Sequence, residues 1–388
     1  MLHRHKTRQV IRSRKMQSLT VGVLFSQRGF SGWYGSSQLR GTILAIDEIN
    51  LNGGLDGRMI DPIICDPGSD PKQYSKLANK LLLDDGVSVI FGCTTSFSRK
   101  AVTPCVEKRN AILFFPTCYE GFDYSPNIIF TGPCPNQLHL ELHRYLYERG
   151  RASYYLLGSD YVFPQESNRV IKDLVAQSNG KVVRERYVPL DCADRQIDDI
   201  VSDIMSTKAN VVLSTVVGSG STRLYDAFHE RGITPNDIVI ASLTASELDL
   251  SKMKHLPLSG HVTSSPYFAS IETPENRLFC KRFVERFGRS VPIDTCAESA
   301  YSQVHLFANA MRSLDGMDAN RLREEIYRVE VNAPQGRIKV DCENNHTYQW
   351  PRIGVMEDAG TFQIVRSPLN SVKPDPYQIN YFDVLAAS

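Results

Sequence analysis

"VSVIFGCTTSFSRKAVTPCVEKRNAILFF", residues 87–115, sets two apolar runs on either side of an amphipathic stretch. "VSVIFG" and "AILFF" are each too short for a helix and too apolar for a strand with one wet face, so both read as buried strands. "FSRKAVTPCVEKRN" between them has helical spacing. Two buried strands joined by a helix form a parallel pair with a crossover, because parallel neighbours need a long connection. The unit ends abruptly. Pro116 stops the second strand, and Thr117, Cys118 and Tyr119 follow where a short polar loop would suffice.

The same alternation extends in both directions. "TVGVLFS" (20–26) is a strand, followed by a helix with Leu39, Ile43, Ile46 and Ile49 on one face and Gly53-Gly54 as its stop. "RMIDPIIC" is a strand in which Pro62 predicts an edge or bulge position. The next helix takes Asp70 as its N-cap and Pro71 in its first turn. "NIIFTG" is a fifth strand. After "GPCPNQ" a second series begins, with helices at 138–149, 165–178, 194–207 and 220–232 and strands "SYYLLG", "KVVRERYV", "NVVLSTV" and "DIVIAS". Helices at 274–288, 296–313 and 319–328 follow. "GRIKVD", "RIGVME" and "TFQIVR" come next, separated by "ENNH" and "DAG" turns, and are expected to pair antiparallel at the edge of a lobe. The expected fold is α/β, with two doubly wound parallel sheets.

With 388 residues the chain exceeds a single core and predicts two lobes of about 150–200 residues each. A net charge of +1 excludes a nucleic-acid or membrane partner held by bulk charge. The charge is uneven, since residues 1–15 carry six Lys/Arg and no acid, leaving 38 bases against 43 acids in the rest. That segment reads as a basic, disordered arm over 1–17, or as a start placed upstream of Met16. It lacks the apolar region of a secretory signal, and no run reaches the ~18 apolar residues of a membrane span. The nine cysteines form no CxxC and no spaced pairs, so they read as reduced thiols. These features together place the chain in the cytoplasm.

In open parallel sheets, ligands lie beyond the carboxyl ends of the strands. Five such mouths can be read: Cys93–Ser96, Pro116–Tyr119, Ser159–Tyr161, "VGSGST" (217–222) and "LTASE" (243–247). Hydroxyls and aromatics dominate them, and only Asp160 and Glu247 bring charge. Each Ser or Thr taken singly is more simply a helix cap, but five mouths of one character suit a small, neutral, hydrogen-bonding ligand. No G-x-S-x-G elbow, phosphate loop or H-E-x-x-H motif occurs, and the glycines after the first strand lack dinucleotide spacing. The histidines form no metal-like pair outside the first residues. No enzymatic activity, metal or cofactor is expected.

Residues 92–137, "GCTTSFSRKAVTPCVEKRNAILFFPTCYEGFDYSPNIIFTGPCPNQ", resemble the amide- and urea-binding branch of the type I periplasmic-binding-protein fold, and within it the amide sensors that control amidase operons. The likeness continues through "GSDYVFPQESN" (158–168), "VLSTVVGSGSTRLY" (212–225), "IASLTASE" (240–247), "APQGRIKV" (333–340) and "KPDPY" (373–377). It implies two lobes joined by three crossovers with a ligand cleft between them: lobe 1 over 18–133 and 265–335, lobe 2 over 134–264 and 336–388. It implies that Ser96 and Thr117 bond an amide, that Tyr161 closes over it, and that Thr244 contributes. The sequence departs from the branch at Thr94, Phe115 and Cys118, where relatives carry an aromatic, a tyrosine and often a proline. A roomier, less polar pocket and a larger amide than acetamide are therefore expected. By the same resemblance the partner is an RNA-binding antiterminator protein and the chain a homo-oligomer. The alternative is the substrate-binding component of an ABC-type amide or urea importer.

Overall fold

Strand alternation decides the architecture. The computed structural model describes residues 18–378. Its first sheet comprises β1 (Leu19–Leu24), β2 (Ile60–Cys65), β3 (Val89–Gly92), β4 (Ile112–Phe115) and β5 (Ile128–Phe130), all parallel in the order β2-β1-β3-β4-β5. Along these strands successive side chains enter opposite cores, as a period of two requires. Val89, Phe91, Ile112 and Phe114 join one core, while Ile90, Leu113 and Phe115 join the other. The first core is closed by α1 (Gly32–Leu51), and the second by α2 (Pro71–Leu83) and α3 (Ser96–Lys108). Pro62 lies in the edge strand β2, where its missing N–H disturbs no central ladder. Asp70 caps α2 by accepting from the Lys72 N–H at 2.9 Å.

The second series runs α4 (Pro135–Tyr147), β6 (Ser153–Ser159), α5 (Val162–Gln177), β7 (Lys181–Val188), α6 (Asp194–Met205), β8 (Val211–Thr215), α7 (Ser219–Glu230), β9 (Val239–Ser242), α8 (Glu247–Leu250) and β10 (Val262–Ser265). The chain then returns to the first sheet, where α9 (Pro274–Phe287), α10 (Thr295–Met311), α11 (Ala319–Ile326) and the hairpin β11 (Glu330–Ala333) and β12 (Gly336–Lys339) pack. It crosses once more to add β13 (Arg352–Met356) and β14 (Phe362–Arg366) antiparallel at the end of a seven-stranded sheet ordered β14-β13-β10-β9-β8-β6-β7. Each sheet thus carries helices on both faces. The chain passes between them three times, after β5, β10 and β12.

Two features depart from the sequence reading. "GRIK" pairs backwards with Glu330–Ala333 through the two-residue link Pro334-Gln335, instead of forward across "ENNH". Val331 and Ile338 both pack on the first sheet's core, so a division after residue 335 would part this hairpin. Strand β10 was not foreseen: "VTSS" is polar enough to pass for loop, yet it is fully buried between β9 and β13. The basic arm expected over 1–17 lies outside the described residues.

Candidate functional site: a cavity between the two sheets

Strands β3 and β4 point their carboxyl ends at those of the second sheet, and a cavity of about 90 Å³ lies between them. Cys93, at the end of β3, takes φ 72°, turning the chain so that Thr94, Thr95 and Ser96 face this space at the start of α3. Thr95 caps the helix reciprocally with Ser98. On the neighbouring strand end, Gly132 lets the loop after β4 approach: a Cβ there would lie 2.1 Å from the Thr117 carbonyl oxygen.

Of the residues expected from sequence, Thr94, Ser96, Thr117, Cys118, Tyr161 and Thr244 line the cavity. Phe115 does not. Its ring points into the core beneath, where it packs against Tyr119 and Phe130 and faces the Arg99 guanidinium at 4.9 Å. The apolar wall expected of it is supplied by Phe30, Pro116, Leu138, Phe163 and Leu243. Asp160 is exposed and bonded to Gln165 at 2.9 Å, away from the cavity. The Cys118 thiol is pushed up to about 12 by burial and by the nearby Glu120 charge, which leaves it no nucleophilic character at neutral pH.

Sequence reasoning missed three groups. Phe30, Ser31 and Tyr34 follow β1, whose carboxyl end is a sixth mouth that the glycine spacing obscured. Ser264 and Ser265 sit on the unforeseen β10. Thr295, Cys296 and Ser299 open α10, which reaches the cleft only through the second crossing. Ser264 Oγ is buried with no hydrogen-bond partner in the protein.

The two sides touch across the cleft. Tyr34 donates to Asp249 Oδ1 at 3.0 Å, and the Phe97 and Tyr161 rings meet edge to face at 6.3 Å. The Lys252 ammonium stands over the Trp33 ring. Behind the cavity, burial raises the Glu247 carboxyl to about 8 and the Asp294 carboxyl to about 6, and it pushes Asp249 up as well.

A second buried network underlies the cavity floor. Arg99 has no exposed area and pairs with Glu120 at 2.9 Å and Asp123 at 2.8 Å. Ser96 donates its hydroxyl hydrogen to Glu120 Oε2. Among the described residues no Lys or Arg side chain lines the cavity, and no group of His, Cys, Asp or Glu is arranged to hold a metal. Among the same residues, no helix is long and apolar enough to cross a membrane.

A family model described as the periplasmic binding protein domain matches residues 19–382. A Leu/Ile/Val-binding protein homolog of Brucella melitensis is 24% identical over 308 residues, which is 76% of this chain and 77% of that protein. The solute-binding protein of an ABC transporter from Rhodopseudomonas palustris, solved with p-hydroxybenzoic acid, aligns with a TM-score of 0.84 at 19% identity, over 93% of this chain and 99% of that one. The branched-chain amino acid transporter substrate-binding protein of Streptococcus pneumoniae, solved with isoleucine, gives 0.79 at 17% identity, over 92% and 100%. At these identities the solved structures carry the fold. The cytoplasmic placement expected from the first residues and the cysteines is corrected by these findings: the family is one of periplasmic binding proteins, and the solved structures named are solute-binding or substrate-binding proteins of transporters. With the model spanning nearly the whole chain and the cavity seated where the two sheets face each other, the protein belongs to the periplasmic binding protein family and binds a small molecule in its interlobe cleft.

Proposed function

We propose that this protein is the solute-binding component of an ABC-type importer, and that its solute is a small, largely apolar molecule with a neutral hydrogen-bonding head such as a carboxamide. The observation that carries the reading is the cavity itself, lined by strand ends and helix starts from both sides of the cleft. Named relatives hold p-hydroxybenzoic acid and isoleucine, molecules of comparable size with an apolar body and a polar end. Mostly carbon lines this cavity, which suits an apolar body. The absence of a lining Lys or Arg favours a neutral head over a free carboxylate.

In this reading Ser96 and Thr117 hold the head from one side, Tyr161 and Thr244 contact the ligand from the other, and Thr94 and Cys118 border its body. The amide-sensor role with an RNA-binding antiterminator has no counterpart among the relatives named above, whereas the importer role does. Titration calorimetry against a panel of aliphatic and aromatic amides, aromatic acids and branched-chain amino acids tests the proposal. One class should bind one-to-one, with affinity lost in Tyr161→Ala. A panel without any saturable binding, or binding indifferent to Tyr161, sinks it.

A further inference from the structure

Hydrogen positions around Ser96 are dictated by its neighbours. Arg99 is wholly buried, its guanidinium fixed by Glu120 Oε1 at 2.9 Å and by Asp123 at 2.8 and 3.0 Å, with the Phe115 and Tyr119 rings 4.9 and 4.7 Å from its central carbon. A guanidinium only donates, so both carboxylates accept from it. Glu120 therefore turns its other oxygen, Oε2, to Ser96 and has no hydrogen to give, and Ser96 donates. Arg99 Nη1 approaches the same hydroxyl oxygen from the protein side at 3.4 Å. A serine has one hydroxyl hydrogen, and here it points away from the cavity. Two neighbouring hydroxyls are spent in the same way: Thr117, which accepts from Gln38 Nε2 at 2.7 Å, donates to the Cys93 carbonyl at 3.3 Å, and Ser299 donates to the Pro116 carbonyl at 2.8 Å.

We propose, resting on the solute-binding reading above, that Glu120 held by Arg99 is a specificity-determining residue: it fixes the Ser96 hydroxyl as an acceptor toward the cavity, so the site selects a carboxamide over the isosteric carboxylate. The Thr95 cap takes the Ser98 N–H, which leaves the Ser96 and Phe97 N–H groups at the start of α3 as the donors beside that acceptor. A carboxamide matches both, its carbonyl taking a helix N–H and its NH2 meeting Ser96 Oγ. A carboxylate matches only the first and sets an anionic oxygen against the Ser96 lone pair.

Glu120→Gln reverses the polarity without removing a side chain. Arg99 can only donate, so the glutamine oxygen must face it and the glutamine NH2 must face Ser96. Ser96 then accepts, and its hydrogen swings into the cavity. The test is titration calorimetry of the full chain with the matched pairs benzamide/benzoate and isovaleramide/isovalerate. The native protein should bind the amide of a pair at least about tenfold more tightly than the acid, the range a lost and repelled hydrogen bond spans. In Glu120→Gln that ratio should fall by about tenfold or invert. Should Glu120→Gln fail to fold, Ser96→Ala decides, since it keeps the Arg99–Glu120 pair and should bring the ratio close to one by removing both the amide's acceptor and the lone pair that opposes the acid. Equal or tighter binding of acids by the native protein overturns the proposal. So does an unchanged ratio in the variants, or binding of neither member of either pair. In each of these cases the solute-binding reading stands as long as some other member of the wider panel binds in the cleft; it falls only if none does.

Discussion

Arg99 shows how much of a binding site is decided by a residue that never touches the cavity. Its charge, desolvated among three aromatic rings, is tolerated because two carboxylates accept from it. Removing one partner of such a group strands the others. Arg99→Met should therefore destabilise the fold by about 3–5 kcal/mol, read as a lowered urea midpoint. A loss under about 1 kcal/mol would mean that the pair is solvated. Cys118 offers the opposite expectation. With its thiol raised to about 12, it should resist alkylation at pH 8 in the folded protein although it lines the cavity, and rapid labelling there would contradict that raised pKa. Sequence alone placed Ser96, Thr117, Cys118 and Thr94 at the site because strand ends are legible from periodicity. Phe115, the last residue of β4, turns its ring into the core beneath, and only the tertiary structure reveals that it serves Arg99 while Pro116 beside it lines the cavity.

Among the elements, α1, α3 and α5 do the closing, and each does so with the first turn of a helix. Tyr34 and Trp33 on α1 reach Asp249 and Lys252, and Phe97 on α3 meets Tyr161 ahead of α5. All these contacts exist only while the lobes are together. Tyr34→Phe should weaken ligand binding about threefold to tenfold, the worth of one partly buried hydrogen bond, while leaving the unfolding midpoint of the ligand-free protein nearly unchanged. Calorimetry and urea unfolding on the same variant separate the two effects; equal losses in both would make the bond structural. Trp33 should report closure directly, because a cation over its ring alters its emission. Fluorescence that is ligand-dependent in the native protein and silent in Lys252→Ala is the expected pattern. The starts of α3 and α5 were within reach of sequence analysis, whereas the start of α10 was not, since its place in the cleft depends on where a crossing returns.

At the scale of the whole molecule, closure brings carboxyl groups from both sides together. Glu247 and Asp249 stand on α8 and Asp294 caps α10, with Lys252 and Tyr34 as the neighbouring groups. Glu247 is raised from 4.5 to about 8 and Asp294 from 3.8 to about 6, chiefly by burial. The folded, closed form therefore holds protons that the unfolded chain has released, and its stability falls as pH rises from near 4.5 through about 8. Urea midpoints should drop between about pH 5 and pH 8.5, and Glu247→Gln should flatten the slope. A midpoint that rises over this window would contradict the burial of these groups. Ligand should also shift the population toward the closed form, seen as a smaller radius of gyration in solution scattering, and a profile unchanged at saturation would exclude closure as the working event.

What the sequence by itself determined was local: which runs are strands, which stretches are helices, and that the two alternate, because buried β periodicity and helix caps are written in neighbouring residues. The strand "VTSS" escaped, since polar residues form a buried strand only when strands on either side satisfy its backbone, and the pairing at 330–339 escaped because "GRIK" does not itself say which neighbouring run it will meet. The direction in which Ser96 points its hydrogen was decided by tertiary structure alone. Glu120 lies 24 residues beyond Ser96 and Arg99 on the next helical turn, and only folding sets a fixed cation behind the carboxylate that takes the hydrogen.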